Sequence, residues 1–354
     1  MTRPRASKSI VILLLIYAAN LAIQFLASPE AVDSPRLEPE GWYSIYFTNP
    51  GGASTSSLRG GPDAMLAAAI DAANETVDVA AQEIDLWTIR DALIRAHERG
   101  IQVRVVTETD YISNPEIQAL EVAGIQVRGD GRPHLMHNKF VIVDGEEVWT
   151  GSMNLTVNGA YRNNNNLLRI ESIALAEQYK DELEEMLLED RFGPLSWPDV
   201  PLGTIEKEGK QIEVLFAPDM RVGDRIVSIL QDAEKSIHVM AFNLTLDTIT
   251  DAILRSASTG IEVQALFDAD QSQNQGSDVA RLSESGLDVL LDGNPRKMHH
   301  KVIIVDESIV ITGSYNFSRN AEEKNDENVL IIHSQELAEH YLIEFSRLRD
   351  IGTY

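Results

Sequence analysis

The 354-residue chain contains no cysteine, which excludes a disulfide framework, a thiolate-bound zinc or iron–sulfur centre and a thiol nucleophile. Aromatic residues are sparse, at 6%, and no long loop rich in Trp or Phe suggests insertion into a lipid interface. Basic residues are also few: 30 Lys and Arg stand against 55 Asp and Glu, a formal charge of −25. A surface this acidic repels polyanions at long range, so any anion must be met by a local cationic site. Hydrophobic content of 44% and charged content of 24% are ordinary for a folded chain, and the length allows two domains with their own cores.

Long apolar runs are confined to the N-terminus. Arg3, Arg5 and Lys8 precede an apolar stretch from Ile10 to Ala19 that continues more weakly to Leu26. This is the layout of an export signal, and residues 1–30 read as a signal peptide or an N-terminal membrane anchor. Residues 9–27 are marginal for spanning a bilayer, and the poor small-x-small site around Ala27 favours the uncleaved anchor. The basic residues would stay cytoplasmic and the body would be exported, either membrane-anchored facing outward or secreted. Residues 31–42, rich in Pro and acids, read as a linker.

Beyond residue 42 the chain is a duplicated unit. Thr76-Val-Asp-Val-Ala-Ala ahead of Leu86-Trp-Thr-Ile-Arg-Asp-Ala-Leu-Ile is matched by Ser236-Ile-His-Val-Met-Ala ahead of Leu246-Asp-Thr-Ile-Thr-Asp-Ala-Ile-Leu. Asp91 and Gly100 correspond to Asp251 and Gly260 at an offset of 160, which later becomes 162, so two residues are inserted near Gln271 to Ser277. Strands alternate with helices in each half, predicting an α/β fold of two lobes, each a mixed sheet flanked by helices. The lobes are expected over residues 43–193 and 210–354, joined by a proline-rich linker over 194–209. Val141-Ile-Val and Val302-Ile-Ile-Val have the continuous apolar character of strands buried on both faces. Helical spacing over Ala174–Leu188 and Gln335–Leu348 predicts the helices that close the lobes.

Both halves carry one further string at identical spacing. The first is His137-Asn-Lys139-Phe-Val-Ile-Val-Asp144, followed after six residues by Gly151-Ser152-Met-Asn154. The second is His299-His-Lys301-Val-Ile-Ile-Val-Asp306, followed after six by Gly313-Ser314-Tyr-Asn316. On a strand, residues two apart share a face, so each His stands beside its Lys. That pair suits a phosphate: the ammonium is a point charge for its oxygens, and the imidazole is a nucleophile or acid near neutral pH. The Asp closes the strand. Gly-Ser allows close backbone approach, and Ser and Asn offer neutral donors to the same anion. His300, beside His299, is expected on the opposite face with a structural role.

These residues resemble the phospholipase D superfamily, whose hallmark is the paired His-x-Lys-x4-Asp motif with Gly-Ser-x-Asn after it; the resemblance runs from about Tyr46 to Asp350. It implies two units packed about a pseudo-twofold axis, one active site between them, and phosphodiester chemistry without metal or cofactor through a phosphohistidine. The implied catalytic set is His137, Lys139, Asp144, His299, Lys301 and Asp306. By analogy His137 attacks phosphorus and His299 serves the leaving alcohol, although near-symmetry leaves the assignment open. Lys139, Lys301, Asn154 and Asn316 would bind the non-bridging oxygens, with Ser152 and Ser314 as further substrate donors. Asn325-Asp-Glu327-Asn328 looks like the family's Asn-x-Glu-Asn, whose Glu orients a catalytic His; Asn165 stands at the equivalent place in the first half. The two histidines should therefore differ in basicity, the one served by Glu327 favouring the charged form.

The expected substrate is a phosphodiester, by preference a phospholipid, hydrolysed or transferred, with membrane association through residues 9–27 and a monomeric state. A metal-independent nuclease of the same superfamily is the alternative. A transferase resembling cardiolipin synthase and a non-catalytic binding module rank lower.

Overall fold

The computed structural model describes residues 41–196 and 203–352. The export segment expected over 1–30, most of the linker expected over 31–42, and residues 197–202 of the second linker lie outside the described residues. Among the described residues, no helix is long and apolar enough to cross a membrane.

The first lobe is a seven-stranded sheet built from β1 (Tyr43–Phe47), β2 (Thr76–Ala81), β3 (Gln102–Thr107), β4 (Gln126–Gly129), β5 (Lys139–Val143), β6 (Glu147–Gly151) and β7 (Asn166–Glu171), in the order β1-β7-β6-β5-β2-β3-β4. The second has β8 (Ile205–Lys207), β9 (Lys210–Ala217), β10 (Ser236–Ala241), β11 (Glu262–Phe267), β12 (Asp288–Leu291), β13 (Lys301–Val305), β14 (Ile309–Gly313) and β15 (Glu327–His333), in the order β12-β11-β10-β13-β14-β15-β9-β8. In each lobe three strands run parallel and the motif strand joins them antiparallel: β2 pairs β3 in parallel and β5 antiparallel, as β10 pairs β11 and β13. The expected mixed sheets are present. The expected linker over 194–209 ends early, because Ile205–Lys207 turns back on Lys210–Ile212 as an edge strand of the second sheet. Its short alternating pattern was hidden in a stretch otherwise marked by prolines.

Strand periodicity decides what each sheet face touches. Along β5, Phe140 and Ile142 face the core shared by the lobes, whereas Val141 and Val143 face the first lobe's own core under α1 (Pro62–Ala72) and α2 (Trp87–Glu98). Along β13, Val302 and Ile304 face the shared core, and Ile303 and Val305 the second lobe's, under α4 (Val222–Gln231) and α5 (Asp247–Ser258). Between the sheets lie α3 (Ile173–Glu189) and α6 (Gln335–Arg349), each started by a serine whose hydroxyl accepts a backbone N–H: Ser172 from Leu175, Ser334 from Leu337. Their aromatic residues fasten the lobes together. Tyr179 lies 5.2 Å from Phe216 of the second sheet, and Tyr341 lies 5.2 Å from Phe47 of the first. Each such buried ring contributes roughly 1.5–3 kcal/mol.

Asp144 and Asp306 require a correction. Both end their strands in a left-handed turn, with φ of 55° and 53°. Asp144 accepts backbone N–H groups from Glu75 at 2.8 Å, Asn74 at 3.0 Å and Thr76 at 3.1 Å. Asp306 does the same with Lys235 at 2.7 Å, Glu234 at 2.9 Å and Ser236 at 3.0 Å. A five-residue strand, roughly 16 Å long, separates each carboxylate from the histidine end of its motif. They are strand anchors rather than catalytic residues. Burial opposes ionisation of both, but the three N–H donors together outweigh it and lower both pKa values. The anchoring is thus complete above the ordinary carboxylate range and is lost as pH falls through the lowered pKa. Asp144→Ala and Asp306→Ala should each destabilise the fold by about 1–3 kcal/mol while the folded fraction keeps its turnover number; thermal melts beside active-site titration check this.

Candidate active site

Both His-x-Lys pairs enter at the seam between the lobes, because short backbone bridges stitch the two motifs together. His137 N–H donates to the Asp326 carbonyl at 2.9 Å, and His299 N–H donates to the Asn164 carbonyl at 2.9 Å. Each motif is therefore held by the loop that precedes the last strand of the other lobe. His137, Lys139, His299 and Lys301 are all buried.

The side-chain support is crossed in the same way. His137 Nδ1 meets Glu327 Oε2 at 2.7 Å, and the Ser314 hydroxyl donates to that same oxygen at 2.7 Å. His299 Nδ1 meets Asn165 Oδ1 at 2.9 Å and the Ser152 carbonyl at 3.2 Å. Asn165 is fixed in turn: its Nδ2 donates to the Gly159 carbonyl at 2.9 Å, and Ser152 Oγ donates to its Oδ1 at 2.9 Å. Both rings are thereby held with the proton on Nδ1, which leaves Nε2 with its lone pair for the cleft. Ser152 and Ser314, expected as substrate donors, are fully buried and act on Asn165 and Glu327 instead. Asn154 and Asn316 follow two residues later, and the Oδ1 atom of each is buried without a protein partner. Their amides remain available to a ligand.

The electrostatics identify one shared site. Burial pushes the His137 pKa well below its usual value, and Lys139 and Lys301 add to this. Burial does the same to His299, followed by Lys301, Lys139 and His137. Lys139 is lowered by burial to about 7, partly opposed by Glu327 and Glu83, and Lys301 falls well below its ordinary value through burial and Lys139. Each ammonium donates to the carbonyl of its own histidine, Lys139 to His137 at 2.8 Å and Lys301 to His299 at 2.9 Å. Burial thus disfavours the charged form of all four groups, neighbouring basic groups adding to it at the two rings and at Lys301, and a phosphate among them would favour it. Glu327 is raised to about 8, burial outweighing Lys139, Ser314 and Asn325, so its ionised form depends on the donors and lysine charge around it.

A second layer, which the motif spacing did not reveal, closes the seam behind the histidines. Asn328 accepts from Thr150 Oγ1 at 2.8 Å and donates to Asn138 Oδ1 at 2.9 Å; Asn166 donates to Thr312 Oγ1 at 3.1 Å and Tyr341 Oη at 2.9 Å. These four bonds join the two lobes. His300 lies here on the face away from the cleft, between Asn166 and Glu344, each at 3.3 Å, with its pKa lowered first by burial. It has the structural place expected of it. Phe242 was also missed: its ring packs edge-on to His299 at 4.8 Å and lies 5.0 Å from Lys301 Nζ, where the first lobe has Gln82. A lone Phe after a strand carries no motif signal. Among the described residues, one acidic group of metal-ligating size is Glu182, Glu185 and Asp219, and Glu182 accepts from Asn138 Nδ2 at 3.2 Å.

The comparisons with known proteins agree with this geometry. A family model described as "Cardiolipin synthase, PLD-like domain" matches residues 66–187 and 226–349, one match per lobe. The chain belongs to the phospholipase D superfamily, and it is a phosphodiesterase of that class. It is 36% identical over 137 residues to a phospholipase D of Rickettsia typhi, a match covering 39% of this chain and 67% of that protein. It is 32% identical over 127 residues to a mitochondrial cardiolipin hydrolase of Chlamydomonas reinhardtii, covering 36% of this chain and 57% of the relative. The solved phosphatidylserine synthase of Haemophilus influenzae covers 94% of the chain, and the chain 91% of it, with TM-score 0.67 and 15% identity, a likeness of fold.

The crossed support has measurable consequences. Glu327→Gln removes the carboxylate from His137 and should lower kcat roughly 10²–10⁴-fold, the range for losing the carboxylate partner of a catalytic histidine. Asn165→Glu gives His299 a carboxylate and should move the pH–rate profile upward by about one unit; unmoved profiles would refute the pairing. Because an anion restores protons to the four suppressed basic groups, inorganic phosphate bound at pH 8 should take up protons, read by calorimetry in buffers of different ionisation enthalpy.

Proposed function

We propose that this protein hydrolyses a phospholipid phosphodiester through a phosphohistidine on His137. The observation that carries the reading is the unequal support of the two rings: a carboxylate stands behind His137 and a neutral amide behind His299. Glu327 raises the electron density of the His137 ring and compensates the positive charge that develops as Nε2 attacks phosphorus. Asn165 orients His299 without stabilising its imidazolium, which makes protonated His299 a strong acid. In the first step the Nε2–P bond forms, the P–O bond to the leaving alcohol breaks, and His299 delivers its Nε2 proton to that oxygen. In the second, His299 takes a proton from water, the water oxygen attacks phosphorus, and the P–N bond to His137 breaks. Lys139 and Lys301, with the amides of Asn154 and Asn316, stabilise the non-bridging oxygens in both steps. An acceptor alcohol in place of water gives transfer.

Preference for lipid rests on the net charge of −25, which opposes long polyanions, and on the names of the relatives, phospholipase D and cardiolipin hydrolase. Export and membrane association through residues 9–27 belong to the same reading, supported by the basic leader ahead of the apolar run. One chain carries both motifs, so a monomer suffices.

His137→Ala and His299→Ala should each lower turnover of phosphatidylglycerol and bis(p-nitrophenyl) phosphate by at least roughly 10³-fold, with the wild-type rate unchanged in EDTA. Quenching in alkaline detergent, where the P–N bond survives, should trap phosphohistidine in His299→Ala and never in His137→Ala; the reverse pattern would swap the roles. Cleavage of single-stranded DNA without lipid hydrolysis would replace the substrate.

A further inference from the structure

The two bridges that stitch the motifs together share one plan but differ in chemistry. The loop ahead of each motif runs Asp130-Gly131-Arg132-Pro133 in the first lobe and Asp292-Gly293-Asn294-Pro295 in the second. Each loop meets the four residues that lead into the last strand of the other lobe, Asn325-Asp326-Glu327-Asn328 or Asn163-Asn164-Asn165-Asn166. Between the copies the loop changes from Arg132 to Asn294, and the facing position changes from Asp326 to Asn164. Both changes fall on partners that touch. Arg132 forms an ion pair with Asp326, and Asn294 Nδ2 donates to Asn164 Oδ1 at 3.2 Å.

The remaining bonds are copied from one side to the other. Arg132 Nη1 donates to the Lys324 carbonyl at 2.7 Å and Nη2 to the Leu135 carbonyl at 3.3 Å. Asn294 donates to the equivalent carbonyls, Arg162 at 3.0 Å and Lys297 at 3.4 Å. An amide is therefore enough to bridge the seam, and the guanidinium adds a charge to the same bridge. Its side chain is 12% exposed and that of Asp326 is 2% exposed. Asp326 also accepts from the Gly193 backbone, and the Phe192 ring lies 5.9 Å from the guanidinium. The chain leaving the first lobe is fitted to this pair: a Cβ on Gly193, at φ 53°, would collide with Arg132.

The charge stands where it can act on His137. The Asp326 carbonyl accepts from the His137 backbone at 2.9 Å, and the Asp326 N–H donates to the Leu135 carbonyl at 3.0 Å. Asn325 Oδ1 accepts from the Leu135 backbone at 3.4 Å, and its Nδ2 donates to Glu327 Oε1 at 3.3 Å. Residues 325–327 and 135–137 thus form one short ladder, clamped at its side by Arg132 and ending on Glu327 against the His137 ring. Two adjacent carboxylates enter this bridge, whereas the asparagines opposite bring none. Without the guanidinium, Asp326 would be a buried carboxylate beside Asp130 with no cation, a cost relieved only by a proton or by movement of the loop. Movement of the loop carries Glu327 with it.

We infer that Arg132 is a positioning residue of the phosphodiesterase site: paired with Asp326, it holds residues 325–327 so that Glu327 stays on His137, as Asn294 with Asn164 holds Asn165 on His299. The inference rests on the reading of His137 and Glu327 as a catalytic pair and adds the group that keeps them in register.

The test replaces the charged pair by the amide pair of the other side. Facing Asp326 are Arg132 and Asp130, with Glu108 against Asp130 and Glu327 next in the chain; burial raises the Asp326 carboxyl to about 7, with Arg132 and Gly193 opposing it. Loss of the guanidinium moves that pKa further up, so the carboxyl is neutral, like Asn164, in mild acid and ionises in alkali. At about pH 9, Arg132→Asn should lower kcat on bis(p-nitrophenyl) phosphate roughly 10–10²-fold relative to wild type, the cost of a displaced reacting group, with KM within about two-fold. The defect should shrink towards about pH 6, where the carboxyl is protonated. Adding Asp326→Asn should return kcat to within about three-fold of wild type at both pH values. A double variant no better than the single one would overturn the inference, as would a lowered melting temperature with unchanged kcat. If Arg132→Asn does not fold, Arg132→Lys keeps the charge and loses the fork; its kcat should fall at least roughly three-fold, and wild-type kcat would count against the clamp. Imidazole ¹⁵N shifts of the full chain read the positioning without turnover: Arg132→Asn should move His137 and leave His299 in place, and equal movement of both rings would overturn it. A wild type with that selectivity but no activity on any diester would retain the positioning and fail the catalytic reading.

Discussion

The structure depends on burying four basic side chains at one seam. Two imidazoles and two ammonium groups removed from water repel one another, and an isolated buried charge costs several kcal/mol even after relaxation. The seam tolerates them because each can be neutral in the resting protein and because each is tied to an acceptor. The lysines are held by the carbonyls of their own histidines, and the rings by groups of the opposite lobe. The resting state is thus primed electrostatically. A phosphate entering the cleft favours the charged forms that burial disfavours, and that change in free energy falls on the reacting group.

Crossed support also explains why the two lobes form a single unit. A histidine held by its own lobe would keep its orientation if the seam opened. Here His137 loses Glu327, and His299 loses Asn165, the moment the lobes part. The buried layer of Asn138, Thr150, Asn166, Asn328 and Tyr341 behind the histidines has the same logic, since its hydrogen bonds run between lobes and would be left unsatisfied by separation. Catalytic geometry and lobe association are the same set of contacts.

Much of this was legible in the sequence, and the illegible part has a physical reason. Two copies of one spacing identified His137, Lys139, His299 and Lys301, because a strand period of two fixes which side chains share a face. The same rule put His300 on the opposite face. Periodicity says nothing about which lobe supplies the partner, so the crossing of Glu327 to His137 could not be read. Nor does it say how deep a residue lies: Ser152 and Ser314 have the chemistry of phosphate donors, but the sharp Gly-Ser turn buries them against Asn165 and Glu327. Asp144 and Asp306 belong to the motif by spacing only, since a five-residue strand carries them to the end of the sheet away from the cleft. Phe242 has no counterpart in the first half, where Gln82 stands, so a search for repetition passes over it.

Those departures from the repeat are what give a two-fold site a direction. A perfectly symmetric cleft would offer the same proton affinity at both rings and the same surroundings on both sides of phosphorus, so a substrate could bind either way round. Glu327 against Asn165 gives the two rings unequal support. Phe242 against Gln82 sets an aromatic ring beside His299 and Lys301 where the first lobe has an amide. The net charge acts at another scale. Screening confines the acidic surface to a range of about 8–10 Å at physiological ionic strength, enough to disfavour a long polyanion lying across the lobes. It is too short to oppose a compact phosphate already inside a buried cationic cleft.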